Sequence, residues 1–175
     1  MSAYFIDLLK TRYSNSIVAY FFCRSTQAEL QQARDIVRTL AFQCGETDIA
    51  VRKERYRLRH KDFPAGAAKI DYLTESLRRG PLSKSEKEIF FVLDGIDEAN
   101  WEIKNSLDTR KRPEMEMLLR CLYELPSVRM LLVSGPDSRL EEIIEGIPTK
   151  TIPMSQNKHD IKKYIQHFVG KSTPM

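Results

Sequence analysis

Three acidic residues follow one apolar segment of the sequence closely enough to act on a single ligand. The apolar segment runs from Ile89 to Leu93, Asp94 comes directly after it, and Asp97 and Glu98 follow Gly95. An uninterrupted apolar run suits a central strand of a parallel sheet, and such sheets bind ligands at the carboxyl ends of their strands. The carboxylate of Asp94 is therefore a candidate to hold a hydrated Mg²⁺ that bridges nucleotide phosphates, and Asp97 or Glu98 could polarise an attacking water.

The same residues have a second interpretation, a solvated acidic turn at the end of a strand that binds nothing. A lone aspartate after an apolar run favours that interpretation. The longer pattern, an apolar run followed by D-G-h-D-E in which h is apolar, is much rarer and favours a functional site.

Apolar segments alternate with helical patterns along the chain, which is typical of an α/β fold with a parallel sheet and helices on both faces. Runs of β-branched and aromatic residues predict the strands. The predicted strands are Ser16 to Cys23, Glu88 to Leu93, Val128 to Val133 and Lys150 to Ile152.

Helical spacing of apolar residues predicts the segments between the strands. Thr26 and Glu29 have the spacing of a capping box and predict the start of the first long helix, which Gly45 is expected to end. The other predicted helices are Ala3 to Arg12, about Asp48 to His60, about Ala67 to Arg79, one opened by Pro113, Ser138 to Glu145 and about Lys158 to Phe168.

The composition is that of one soluble globular domain over residues 1–175. The chain is 42% hydrophobic and 30% charged, with a formal net charge of +4, whereas a disordered chain would be poor in large apolar residues. The three cysteines are far apart and the three histidines are scattered, so neither a structural zinc site nor a disulfide framework is expected. No signal-peptide pattern and no apolar run of roughly 20 residues occurs, so the cytoplasm or nucleus is expected, the cytoplasm first, and a membrane is not.

A basic stretch from Arg52 to Lys61 contains six Arg or Lys residues. They could neutralise nucleic-acid phosphates without reading base sequence. The simpler interpretation is the solvated face of a helix, so no specific nucleic acid is expected as a partner. Two further residues have simple structural interpretations: Cys23 as a core residue and Trp101 as a loop anchor and not a cover for the nucleotide.

The segment IFFVLDGIDEA, residues 89–99, resembles the Walker B segment of NACHT domains, the signalling P-loop NTPases of NOD-like receptors and their fungal relatives. SIVAYFFCRST, residues 16–26, is similar to the strand after the phosphate-loop helix in nephrocystin-type members. RMLLVSGPDSRLEEII, residues 129–144, occupies the place of their sensor strand, and IPMSQNKHDIKKYIQHFV, residues 152–169, is similar to their closing strand and helix. The resemblance covers most of the chain, with Walker B at 89–98, the sensor-like strand at 128–137 and the closing helix at 158–168.

The resemblance implies roles for individual residues. Asp94 would be the Mg²⁺ residue and Asp97 or Glu98 the catalytic acid, with Ser134 and Arg139 beside the nucleotide at the sensor strand. It also implies ATP and Mg²⁺ as cofactors, and protein partners or self-association, because in the full-length family nucleotide exchange governs oligomerisation and signalling.

Two departures from the family pattern bear on these expectations. No G-x-x-x-x-G-K-S/T occurs in the 175 residues, so the expected fold is a P-loop NTPase of the ASCE type that lacks its P-loop strand. In that class the P-loop strand lies between the sensor strand and the last strand. The family's S-R-P-E sensor motif here reads S-G-P-D at residues 134–137, with Gly135 at the arginine position and Arg139 as the nearest replacement.

Three hypotheses follow for the function. The leading one is a truncated NACHT domain that does not hydrolyse nucleotide by itself, because the amides and lysine of the P-loop normally cradle the phosphates. The enzyme alternative is weak NTP hydrolysis through Asp94 and Glu98. The third is a protein-interaction module that binds a full-length relative through an exposed edge of the sheet.

Overall fold

The structure is a computed structural model, and it describes residues 2–49, 51–53, 78, 81–101, 113–136 and 138–152. By its internal contacts the chain forms two compact units, Met1–Ile143 and Ile144–Met175. The sheet and the site described below belong to the first unit. Within the described ranges, no helix is long and apolar enough to cross a membrane.

In the described part of the chain, three parallel strands form the sheet, in the order β1 (Ile17–Phe22), β2 (Ile89–Asp94) and β3 (Val128–Val133). The strands are paired in full register, so that Phe22, Asp94 and Val133 lie side by side at the carboxyl edge. The predicted α/β class with a parallel sheet is confirmed, and three of the four predicted strands are present.

Among the described residues four helices accompany the strands, and the apolar spacing predicted all four, although the second begins and ends at other residues than predicted. They are α1 (Ser2–Arg12), α2 (Ala33–Thr47), α3 (Glu114–Tyr123) and α4 (Ser138–Ile144). Short 3-10 turns lie at Ala28–Leu30, Pro81–Lys84 and Ile96–Glu98.

The side chains of the strands alternate between two apolar faces, as the pleat of a strand requires. Ile17, Phe91 and Leu93 point into the larger core, where α2 and α3 cover the sheet. Val18 and Val92 point to the other face, where α1 covers them through Ile6. Each large side chain buried in this way contributes roughly 1.5–3 kcal/mol. Helices therefore lie on both faces, as predicted.

Helix α1 runs antiparallel to the strands. The Ser16 N–H donates to the Tyr13 carbonyl at 2.9 Å and closes the turn between α1 and β1. The Tyr13 ring lies 4.8 Å from the Phe90 ring, near the amino end of β2, whereas Ile6 packs with Val92, farther along the strand. The amino end of α1 therefore points toward the carboxyl edge of the sheet.

Helix α2 begins at Ala33 and ends at Thr47, so the predicted start at Thr26 and the predicted end at Gly45 are wrong. The residues after Thr26 form a 3-10 turn first. Gly45 stays inside the helix because the returning chain packs on it: a Cβ there would lie 3.4 Å from the Arg52 Cα. The Arg52 guanidinium donates to the Gly45 carbonyl at 2.8 Å, so this residue of the basic stretch caps the end of a helix.

The predicted fourth strand, Lys150 to Ile152, is also wrong, because these residues are exposed and are not paired in the sheet. They stand between Pro148 and Pro153 in the sequence, and proline has no N–H to donate to a strand ladder. The predicted closing helix at residues 158–168 and most of the predicted helices at 48–60 and 67–79 lie outside the described residues.

The outer edge of β1 is capped by a side chain of α2. The Gln43 Oε1 accepts from the Tyr20 N–H at 2.8 Å, and the Gln43 Nε2 donates to the Tyr20 carbonyl at 3.1 Å. The side-chain amide thus takes the place of one residue of a neighbouring strand. Because unpaired edge groups invite other chains, this pair also protects the edge of β1.

Replacing Gln43 by leucine is expected to lower the free energy of unfolding by about 1–3 kcal/mol, because both backbone groups of Tyr20 lose their partner. Urea unfolding followed by circular dichroism measures this change. The exposed Gln27 provides the control, and Gln27→Leu should change stability by less than about 0.5 kcal/mol. Equal effects of the two substitutions would show that the edge needs no cap.

Candidate functional site

Asp94 ends the middle strand at the carboxyl edge and is half-buried. Because Phe90 and Val92 point to the α1 face of the sheet, Asp94, two residues farther along, points to the same face. The amino end of α1 is directed toward this edge. The structure thus brings the predicted Mg²⁺ residue and a helix amino end to one side of the sheet.

Gly95 turns the chain directly after Asp94. Its backbone is left-handed, with φ 72° and ψ 35°, a conformation that glycine adopts without strain. A Cβ at this position would lie 2.9 Å from the Cys23 carbonyl oxygen, so the turn also requires a residue without a side chain. The buried Ile96 then anchors the 3-10 turn in the core.

Trp101 holds the far end of this turn. Its ring is buried, and its Nε1–H donates to the Ile96 carbonyl at 2.9 Å. An indole N–H that is buried needs such an acceptor. Trp101 is therefore a loop anchor, as the sequence favoured.

The three carboxylates of the motif leave the turn in different directions. Asp94 points to the α1 face. Glu98 accepts hydrogen bonds from Ser25, in the loop after β1, through the backbone N–H at 2.7 Å and the hydroxyl at 2.9 Å. Asp97 lies against the turn after β3, where a Cβ on Gly135 would be 2.8 Å from its Oδ2. In the part of the chain that the structure describes, no three His, Cys, Asp or Glu side chains converge as a metal-binding group.

A single carboxylate is nevertheless enough for one mode of Mg²⁺ binding. Mg²⁺ prefers oxygen ligands, keeps several of its waters, and is often held by one or two carboxylates together with substrate phosphates. The half-buried carboxylate of Asp94, at a sheet edge, fits this mode.

Ser134 lies at the same edge, one residue beyond β3. It is half-buried, and its hydroxyl donates to the Gly135 carbonyl at 2.7 Å. Arg139 lies in α4, but its side chain is outside the described part of the structure. The structure therefore brings Asp94, Asp97, Glu98 and Ser134 to one edge.

Ser25 carries no motif in the sequence. Only its position in the sequence could have indicated a role at the site. Ser25 follows β1 by three residues, so it must lie at the same edge of the sheet as the acidic turn after β2. Sequence patterns do not show which hydroxyl a carboxylate will bind, because that depends on how two loops meet in space.

Cys23 is buried directly beneath the acidic turn, which confirms it as a core residue. Burial, together with the negative charges of Glu98, Asp94 and Asp97, raises the pKa of its thiol to about 12. A thiol with this pKa is protonated at neutral pH, and the thiolate is the reactive form. Cys23 is therefore a packing residue and not a nucleophile.

Fold and site together define an α/β protein with an acidic turn at the carboxyl end of its middle strand. The family model described as nephrocystin 3, N-terminal, matches residues 1–134, a span that contains all three strands and the acidic turn. The chain belongs to this family, which confirms the nephrocystin-type resemblance. No curated protein and no solved structure matched the chain.

The close approach at Gly95 can be tested against the other glycine with positive φ. Gly146 has φ 76° and nothing within 4 Å of where a Cβ would lie, so Gly146→Ala should cost only the left-handed conformation, roughly 1–2 kcal/mol. Gly95→Ala should cost about 1–3 kcal/mol more, because its methyl group meets the Cys23 carbonyl. Thermal and urea unfolding by circular dichroism compare the two variants, and equal losses would contradict the close approach.

Proposed function

We propose that the chain forms part of a nucleotide-binding signalling domain of the NACHT kind, in which Asp94 holds Mg²⁺ on the phosphates of ATP. The placement of Asp94 carries the proposal: it lies at the carboxyl edge, toward which the amino end of α1 points, and on the face of the sheet that α1 covers. Free N–H groups and the helix dipole make the amino end of a helix favourable for phosphate. A carboxylate for the cation and a helix end for the anion thus lie on the same side of one edge.

Each group has a separate task in this proposal. Bound Mg²⁺ would neutralise phosphate charge. Asp94 would hold it through its carboxylate, and the amino end of α1 would orient the phosphates. Asp97, exposed beside the turn after β3, would take the position of a carboxylate that polarises water.

In this proposal the 175 residues do not hydrolyse nucleotide efficiently by themselves. The sequence contains no G-x-x-x-x-G-K-S/T, and glycine occupies the sensor position where the family has arginine. A cradle of amides and a lysine normally supply most of the phosphate contacts. In this view ATP and Mg²⁺ serve a switch and not turnover, in the cytoplasm, as the family resemblance suggests.

The purified 175-residue protein is expected to bind ATP–Mg²⁺ with a Kd of about 1 mM or weaker, because one carboxylate and one helix end replace only part of the cradle. Titration followed by amide chemical shifts should move signals of Asp94 and of the first turn of α1. Asp94→Asn should abolish the Mg²⁺-dependent part of these shifts, while Glu29→Gln, an exposed acid on the loop after β1, should leave them unchanged. A low-micromolar Kd would contradict the expected weak binding, and Mg²⁺-dependent shifts that persist in Asp94→Asn would refute the role of Asp94.

The outer edge of β3, on the side of the sheet opposite the edge that Gln43 caps, supports a second candidate function. All residues of β3 are exposed or half-buried, and within the described residues no strand pairs with the outer edge of β3. The edge of β1, in contrast, is capped. We propose that protein partners, including a second copy of the chain, add a strand at β3.

The hydrogen-bond pattern shows how to block that edge. Ile89 donates to the Ser127 carbonyl and Gly95 to the Val133 carbonyl, so in a parallel pair the N–H of Met130 faces away from β2. Proline is tolerated on edge strands when its missing N–H faces outward.

Light scattering of the 175-residue protein should therefore rise with concentration, and Met130→Pro should reduce the association about tenfold or more while the circular dichroism spectrum is kept. Leu131→Pro, whose N–H faces β2, is the contrasting variant and should disrupt the sheet. A compact monomer whose urea unfolding is cooperative and independent of concentration would exclude this candidate.

A further inference from the structure

The hydrogen bonds of Glu98 differ from those expected of a carboxylate that activates water. One oxygen of Glu98 accepts from both the N–H and the hydroxyl of Ser25, at 2.7 and 2.9 Å. Hydrogen bonds to an ionised acceptor are roughly twice as strong as neutral ones. One carboxylate oxygen of Glu98 is therefore committed to the loop after β1.

That loop is tied to the acidic turn at a second point. The Asn100 N–H donates to the Gln31 carbonyl at 2.9 Å. The Gln31 side chain in turn donates to the carbonyls of Ser25, at 2.6 Å, and Arg24, at 3.3 Å. The segment from Arg24 to Gln31 is thus held against the turn after β2 at both of its ends.

Asp97 has a different environment, although it is the direct neighbour of Glu98. It is exposed, and it lies against the backbone of Gly135, which offers no side-chain donor. Among the described residues no donor is hydrogen-bonded to its carboxylate. Its exposed carboxylate lies on the side of the edge where β3 ends.

We propose that Glu98 is a positioning residue and not a catalytic one: it holds the loop from Arg24 to Gln31 beside the acidic turn, and leaves Asp94 and Asp97 as the carboxylates that face ligand and water. The assignment to ligand and water rests on the proposed nucleotide function. The hydrogen bonds that tie Glu98 to Ser25 do not rest on that function, so the two parts of the proposal can fail separately.

Amide hydrogen exchange of the 175-residue protein tests the tie. Glu98→Ala should make the Ser25 amide exchange about tenfold faster, the factor given by the loss of one hydrogen bond of ordinary net strength. Glu98→Gln keeps a side chain of the same length that still carries an oxygen acceptor. The Ser25 amide should therefore keep most of its protection against exchange in this variant. Glu29→Ala, which removes an exposed acid from the same loop, is the control and should leave the Ser25 amide unchanged. Unchanged Ser25 exchange in Glu98→Ala would overturn the positioning role.

Mn²⁺ alone, as a paramagnetic substitute for Mg²⁺, tests the division of roles. Its broadening of amide signals should centre on Asp94, and Asp94→Asn should weaken Mn²⁺ binding about tenfold or more, whereas Glu98→Gln should change it less than about twofold. Equal weakening by Glu98→Gln and Asp94→Asn would make Glu98 a ligand and overturn the proposal. Broadening that does not centre on Asp94 in the unaltered protein would overturn the proposed nucleotide site, while the Ser25 result would still decide the tie.

Discussion

The alignment of the three strand ends determines which loops and side chains lie next to one another at the site. Because β1, β2 and β3 pair in parallel and in full register, Phe22, Asp94 and Val133 end at the same level. Three loops therefore leave the sheet side by side, and residues far apart in sequence, such as Ser25 and Glu98, become neighbours. Parallel pairing needs helices as crossover connections, and the apolar faces of α1, α2 and α3 then bury the sheet from both sides.

Within this frame, the left-handed Gly95 sets the directions of the carboxylates. A residue with a side chain would collide with the Cys23 carbonyl, so only glycine allows the chain to turn so closely over β1. The turn then sends Glu98 back toward the β1 loop and Asp97 toward the β3 turn, while Asp94 remains at the end of its strand. Like charges are separated in this arrangement, which reduces the repulsion that would accompany three carboxylates at one point.

The sequence predicted the strands of the sheet and the acidic edge well, for a physical reason. IFFVLD and its neighbours are short apolar runs that can be buried only in a sheet covered on both faces, so local pattern and global fold agree. The start of α2 at Ala33 was missed because the capping-box residues belong to a loop held by Glu98 and Asn100. The strand predicted at Lys150 to Ile152 was missed because its apolar character was confined to one residue between two prolines. Contacts between loops, such as Ser25 with Glu98, leave no periodic pattern to detect.

The pKa of Cys23 is informative about the charge that the proposed ligand would meet. After burial, the largest cause, three carboxylates act on this one thiol to raise its pKa, so these acidic side chains contribute a negative potential at the carboxyl edge. A bare polyphosphate, itself an anion, would be repelled by such an edge. A divalent cation would be attracted, and it could then link Asp94 to the phosphates. If this edge binds nucleotide as proposed, we therefore expect the binding to depend on Mg²⁺, because the helix end of α1 favours phosphate by only a modest amount.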